Sequence, residues 1–181
     1  DGSGTAFNQS TLTINVPLPN SILILAWHAE FDGGLPNSWS VTSNGVPGTT
    51  IAETDGYNGG TGNRLFRIYY WLNPPVGTNT LFVGVPSNIA NELAVSVVLL
   101  TNVAPTNPLG PIALDVSPAS RTGESETVTA SASDLVVHVI ADALLARGTL
   151  GPGETSRSIA NDGLHPIDGD ASLWISTKPG Q

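Results

Sequence analysis

The chain contains no cysteine and no methionine. Without thiols it can form no disulfide, no zinc–thiolate centre and no cysteine nucleophile. The lack of disulfides does not itself specify a compartment, because a large core holds together without staples. Charge is scarce as well: 12% of the residues are charged and Lys178 is the sole lysine. Fifteen acidic residues against six basic ones leave a net charge of −9. Such a chain repels phosphate backbones, so nucleic acid is not an expected partner. The acidity reads as a device for solubility. The longest apolar run, Ile22 to Ala29, is too short to cross a bilayer, so no membrane span is expected. The sequence opens at Asp1 with neither an initiator methionine nor a signal peptide, which reads as a processed or trimmed N-terminus.

What the chain does contain is turn and strand grammar. Twenty glycines and fourteen prolines are spread along it, a pattern that argues against a helical bundle and against disorder. Apolar residues alternate with Ser, Thr and Asn at a period of two. Strands are expected at Ser10–Val16, Ser21–Ala29, Ser38–Ser43, Thr49–Glu53, Leu65–Leu72, Thr78–Val85, Leu93–Thr101 and Ile112–Val116. The last third adds Glu126–Ala132, Leu135–Asp142, Glu154–Ile159 and Ala171–Ser176. Ser21–Ala29 is apolar on both faces and should be a central strand covered on both sides. Asn44-Gly45, Asp55-Gly56, Gly151-Pro-Gly153 and similar clusters supply the turns. The expected class is all-β: a two-sheet antiparallel sandwich, jelly-roll-like or immunoglobulin-like, with little helix. The one helix candidate is the short segment Ala141–Arg147. The domain is expected to span residues 1–181, with the proline-rich stretch 102–111 serving as a crossover between sheets.

The segment Arg64 to Val85 holds two β-prone runs divided by Asn73-Pro-Pro-Val-Gly77, which reads as an antiparallel hairpin. Its first run has two faces. Phe66, Ile68, Tyr70 and Leu72 suit a core, while Arg67, Tyr69 and Trp71 form a stripe of the residue types that dominate binding hot spots. Those three are the candidate binding residues. Trp27, Trp39 and Trp174 are expected to fill the ends of the sandwich.

No catalytic constellation stands out. His28 shares a strand face with Glu30, as an oriented general base would, but reads better as a sheet-edge histidine. His138 lies mid-strand as a packed or rim residue, and His165 sits in a turn-rich loop. No Gly-x-Ser-x-Gly elbow is present. Glu53 with Asp55, and Asp168 with Asp170, resemble loop residues rather than a facing pair of glycosidase carboxylates. The same acids, with Asn58 and the Asn161-Asp162-Gly163 turn, offer oxygen ligands for calcium but fit no EF-hand loop. The chain is therefore expected to be no enzyme, to bind no metal and to use no cofactor.

Several pieces in order carry a resemblance: Ile14-Asn-Val-Pro17, Ile22–Ala29, Leu72-Asn-Pro-Pro-Val-Gly-Thr78, Asp134-Leu-Val-Val137, Gly151-Pro-Gly-Glu154 and Ser176-Thr-Lys-Pro-Gly180. The chain resembles a loose group of β-sandwich modules of bacterial secreted proteins and tailed-phage structural proteins. The motifs are turn grammar and bring no active site with them. Modules of this style continue into another strand after Lys-Pro-Gly, whereas this sequence stops at Gln181. Residues missing from the end are the favoured explanation, ahead of a strand supplied by a neighbour. The resemblance implies a non-enzymatic structural subunit of a large assembly, specifically a phage capsid-decoration or tail-associated virion protein, located in a virion or outside the cell. Its expected partners are copies of itself and other capsid, tail or filament subunits. The alternatives are a secreted carbohydrate-binding or adhesive module using Tyr69 and Trp71 on surface glycans, and a pilus-like subunit donating Asp1–Val16 to a neighbour.

Overall fold

A computed structural model describes residues 9–31, 38–55, 63–85, 90–114, 127–142, 150–161 and 172–180. The described residues form strands and no helix. In chain order the strands are β1 (Gln9–Val16), β2 (Ser21–Phe31), β3 (Ser40–Ser43), β4 (Val46–Pro47), β5 (Thr49–Asp55) and β6 (Asn63–Leu72). They continue as β7 (Gly77–Gly84), β8 (Ala90–Thr101), β9 (Leu135–Asp142), β10 (Thr155–Asn161) and β11 (Ser172–Pro179). All pairings are antiparallel. The protein is an all-β sandwich of a β1-β7-β3-β4 sheet on a β5-β6-β2-β8 sheet. A third, three-stranded sheet, β10-β11-β9, covers the far side of the second.

This layering explains the most apolar strand. From Ser21 to Ala29 every residue of β2 is buried. Leu23, Leu25, Trp27, Ala29 and Phe31 point into a first core with Val16, Val41, Leu81 and Val83 of the first sheet. Ile22, Ile24 and Ala26 point into a second core with Leu173 and Ile175 of β11. A fully buried aliphatic side chain contributes about 1.5–3 kcal/mol relative to exposure. Two such faces on one strand make β2 the seam between both cores.

The Asn73–Gly77 segment departs from the hairpin expectation. β6 pairs with β2 and β5, whereas β7 pairs with β1 and β3. The double proline therefore sits in an arch that carries the chain from the second sheet to the first. Local turn chemistry is the same for an arch and a hairpin, because both need a break in pairing and a positive φ. Asn73 (φ 51) and Gly77 (φ 105) supply the latter. The Asn73 N–H donates to Ser21 O at 2.8 Å. Asn79, 0% exposed, donates from Nδ2 to Pro75 O at 2.7 Å and to Gly77 O at 3.0 Å, while its Oδ1 accepts from Asn44 Nδ2 at 2.9 Å. One buried amide thus braces the arch and the β3–β4 turn together. In that turn Asn44 (φ 49) and Gly45 (φ 80) form a two-residue loop with the positive dihedrals of a type I′ hairpin.

Two expected strands are absent among the described residues. Residues 112–114 and 127–132 lie outside any strand, and the remainder of Ile112–Val116 and of Glu126–Ala132 falls outside the described residues. Ile112 and Leu114 are exposed, so their alternation has no sheet to bury it. Ala141 and Asp142 belong to β9, and the rest of the helix candidate Ala141–Arg147 lies outside the described residues. From β8 the chain passes through 102–114 without a strand, and Val103 and Leu109 pack on the second core.

Replacing Asn79 with alanine leaves two arch carbonyls and the Asn44 amide short of a buried partner. Asn79→Ala should lower unfolding free energy by about 2–3 kcal/mol in urea titrations, against well under that for Thr80→Ala at an exposed neighbouring position.

Candidate functional site

The alternation of β6 does separate two faces, and both are turned inward: the expected core face packs on the second core, and the candidate binding stripe is enclosed as well. Arg67, Tyr69 and Trp71 are 2%, 6% and 8% exposed and point between the first two sheets. Phe66, Ile68 and Tyr70 are only partly buried and lean on the second core. The stripe is an internal girder. The Arg67 guanidinium carbon stands 4.8 Å from the centroid of Trp39, and its Nε lies 3.5 Å from Glu53 Oε2. Arg67 also donates to Phe66 O at 3.0 Å. A buried guanidinium is tolerable when an aromatic face and a carboxylate both offset its desolvation.

The rest of the stripe is tied in just as firmly. Trp39 Nε1 donates to the Tyr69 hydroxyl, and Trp71 Nε1 donates to Val46 O at 3.0 Å. Trp27 meets Trp39 edge-on, with centroids 6.1 Å apart. Gly48 lies beneath the Tyr69 and Trp71 side chains, where a Cβ would come within 2.8 Å of the Trp71 ring. Of the tryptophans assigned to the ends, Trp27 is wholly inside the first core, Trp39 packs partly buried against it, and Trp174 is buried on β11.

His28 is buried on the opposite face of β2, beside Phe66 and Ala94 in register, and its Nδ1 has no hydrogen-bond partner among the described residues. Glu30, the carboxylate expected to orient it, is engaged instead by Arg64 at 3.4 Å. Burial, assisted by the Arg64 charge, holds the His28 pKa down at about 4. The ring is thus neutral at physiological pH and enclosed, a core residue and not an edge one.

On the third sheet, three of the resemblance motifs converge. Leu135–Val137 pairs with Thr177–Pro179 in register, and Glu154 reaches both strands. Glu154 Oε1 lies 3.3 Å from His138 Nδ1, and Glu154 Oε2 accepts from Ser176 Oγ at 3.1 Å and from Gly151 N at 3.3 Å. A catalytic relay places histidine between hydroxyl and carboxylate. Here the carboxylate lies in the middle, so the arrangement pins β9, β11 and the β10 lead-in together and does not activate Ser176. Nearby, Asp134 accepts from the Ser131 backbone N–H (2.7 Å) and Oγ (2.8 Å), and these bonds depress its pKa. A Cβ on Gly180 would fall on the Ser131 carbonyl oxygen, so the Lys-Pro-Gly turn needs glycine there.

Among the described residues no group of three or more His, Asp or Glu side chains could hold a metal ion. Of the other candidate site residues, Glu53 is turned to Arg67, while His165, Asn58, Asp162, Asp168 and Asp170 lie outside the described residues. No described helix is long and apolar enough to cross a membrane. No family model matches the chain, and no curated protein matches it.

What the sequence does not announce is how charge is distributed in three dimensions. The first sheet contains no charged residue. In the second, Glu30, Glu53, Asp55, Arg64, Arg67 and Glu92 all lie towards the end where Glu30 is level with Arg64 and Glu92. The opposite end, where the described residues are 17–20, 73–76 and 102–107, carries no charge among them and presents Leu18 (47% exposed) and Val76 (60%). Only the strand register reveals this segregation.

The His28 pKa has a thermodynamic consequence. Its folded value lies below the unfolded value of 6.5. The unfolded chain therefore takes up the proton first, and the contribution is complete above pH 6.5 and lost as pH falls towards 4. Stability should drop by roughly 3 kcal/mol from this group across that window, and His28→Leu should flatten the corresponding slope in a pH series of urea midpoints.

Proposed function

We propose that this domain is a non-enzymatic structural subunit of a large extracellular or virion assembly, with a phage capsid-decoration or tail-associated role as its specific setting. The observation that carries the reading is the charge-free sheet on a chain of net charge −9. Like charges oppose contact between copies, or with other acidic subunits, over most surfaces. The outer face of β1, β7 and β3 offers Gln9, Thr11, Thr13, Asn15, Thr78, Thr80, Ser40 and Thr42 around Phe82, with no such opposition. Exposed Leu18, Val46 and Val76 lie on the same sheet or its rim and supply apolar contact. Symmetric assembly through one face of a rigid sandwich is the simplest use of such a surface.

The phage setting rests on the resemblance carried by the turn motifs, which cluster in the fold. Val16 pairs with Gly77 beside the arch, and Asp134–Val137, Glu154 and Ser176–Gly180 meet on the third sheet. The carbohydrate-binding alternative placed its contacts on Tyr69 and Trp71, and both rings are inside the first core. In the filament alternative the N-terminal segment leaves for a neighbour, whereas Gln9–Val16 here pairs with β7 of its own chain.

Sedimentation velocity of the full chain over a concentration series should show defined oligomers, whose association strengthens little or not at all with added salt. A monodisperse monomer at the highest concentration, with no affinity for any shell or filament, would argue against the reading.

A further inference from the structure

We infer that β1 is the edge through which two copies join, pairing antiparallel about a two-fold axis to make one continuous sheet; this deepens the assembly reading and rests on it. A sheet edge presents unpaired backbone N–H and C=O groups, and proteins that stay monomeric guard such edges with charge, proline, bulges or brevity. The other edges of this fold carry those guards. β4 is two residues long and ends in Pro47. β5 holds Glu53 and Asp55 and shifts register between Thr50 and Ala52. β10 contains Arg157 and shifts register beside it. β9 carries His138, engaged by Glu154, and ends at Asp142. β8 contains Glu92, and its pairing with β2 is irregular opposite Glu30 and Phe31.

β1 has none of these features. Its sequence, Gln-Ser-Thr-Leu-Thr-Ile-Asn-Val, is free of charge and proline, and its register with β7 runs without a shift from Gln9 to Val16. It pairs only on its β7 side among the described strands.

The packing behind β1 says what occupies that edge. Leu12 and Ile14 point into the first core yet are only partly buried, whereas Leu81 and Val83 on the next strand are 1% exposed. Facing them from β8, Val97 and Leu99 are also only partly buried. Among the described residues, the flank between β1 and β8 is therefore an apolar slot that is not fully covered at the side of the sandwich. A second β1 laid alongside would bring its own Leu12 and Ile14 over this slot. It would add about one backbone hydrogen bond per paired residue. A partner rich in basic residues has no acidic group on β1 to meet, and an acidic stranger gains nothing there. A second copy of the same uncharged strand satisfies both the backbone and the slot. Because the axis stands perpendicular to the sheet, the outward residues Thr11 and Thr13 stay on the outer face of the joined sheet, which extends the uncharged surface.

The cysteine-free chain allows a clean test. Thr11→Cys and Thr13→Cys, made singly in the full chain, introduce one thiol each on β1, and Thr49→Cys on β5 serves as control. Paired strands bring opposed Cα atoms within the roughly 4.4–6.8 Å that a disulfide spans. Under mild oxidation one β1 variant, or the equimolar mixture of the two, should give a covalent dimer in high yield, and the Thr49→Cys control should not. The double variant Thr11→Lys/Thr13→Lys should raise the dimer dissociation constant by about tenfold or more while leaving the monomer's circular dichroism unchanged. Oligomers that survive the lysine pair, with β1 thiols cross-linking no better than the control, would overturn the β1 edge and leave the assembly reading standing. A monomeric parent chain would overturn both.

Discussion

The structure depends on the burial of β2 from both sides. A strand apolar on both faces cannot sit at the surface of a sandwich, because one face would remain in water. Its odd residues close a core with the first sheet and its even residues a core with the third. The remaining strands are arranged around that requirement: β6 and β8 flank β2 in its own sheet, β7 lies across one side, and β11 across the other.

Two polar devices follow from this seam. Where the chain must leave the second sheet for the first, the prolines of the arch give up backbone donors, and Asn79 satisfies the carbonyls from within. Where the third sheet must stay registered against β2, Glu154 ties its strands together through His138 and Ser176. The buried Arg67 belongs to the same logic. It lies at the charged end of β6, under Trp39 and near Glu53, so that the cation is held by the girder that also carries Tyr69 and Trp71.

Much of the fold was legible in period-two alternation and in turn chemistry. β1, β2, β5, β6, β7, β8, β9, β10 and β11 fall where alternation puts them, within a few residues at their ends, and Asn44-Gly45 makes the tight turn its residue types favour. Double coverage of β2 was legible too, because no residue between Ile22 and Trp27 is polar. Pairing partners were less accessible. The Asn-Pro-Pro segment signals a break in pairing, but nothing local says whether the next strand returns to the same sheet or crosses to another. The faces of β6 were separable but not orientable, since a strand beside a doubly covered neighbour is itself enclosed on both sides. An arginine among aromatics looks like a binding stripe in sequence; only Trp39, Glu53 and Gly48, distant along the chain, make room for it inside. The segregation of charge to one end of the second sheet was hidden for the same reason, because it is a property of register.

The central claim is that β2 is the seam of two cores, and native-state hydrogen exchange tests it most directly. Amides of β2 from Leu23 to Ala29 should exchange only through global unfolding, with the slowest rates in the molecule and a denaturant dependence equal to that of the whole protein. The edge strands β5 and β9 should exchange through smaller openings at lower free energy. Protection of β2 no greater than that of β5 or β9, or its loss in a local opening that leaves either neighbouring sheet protected, would contradict the account.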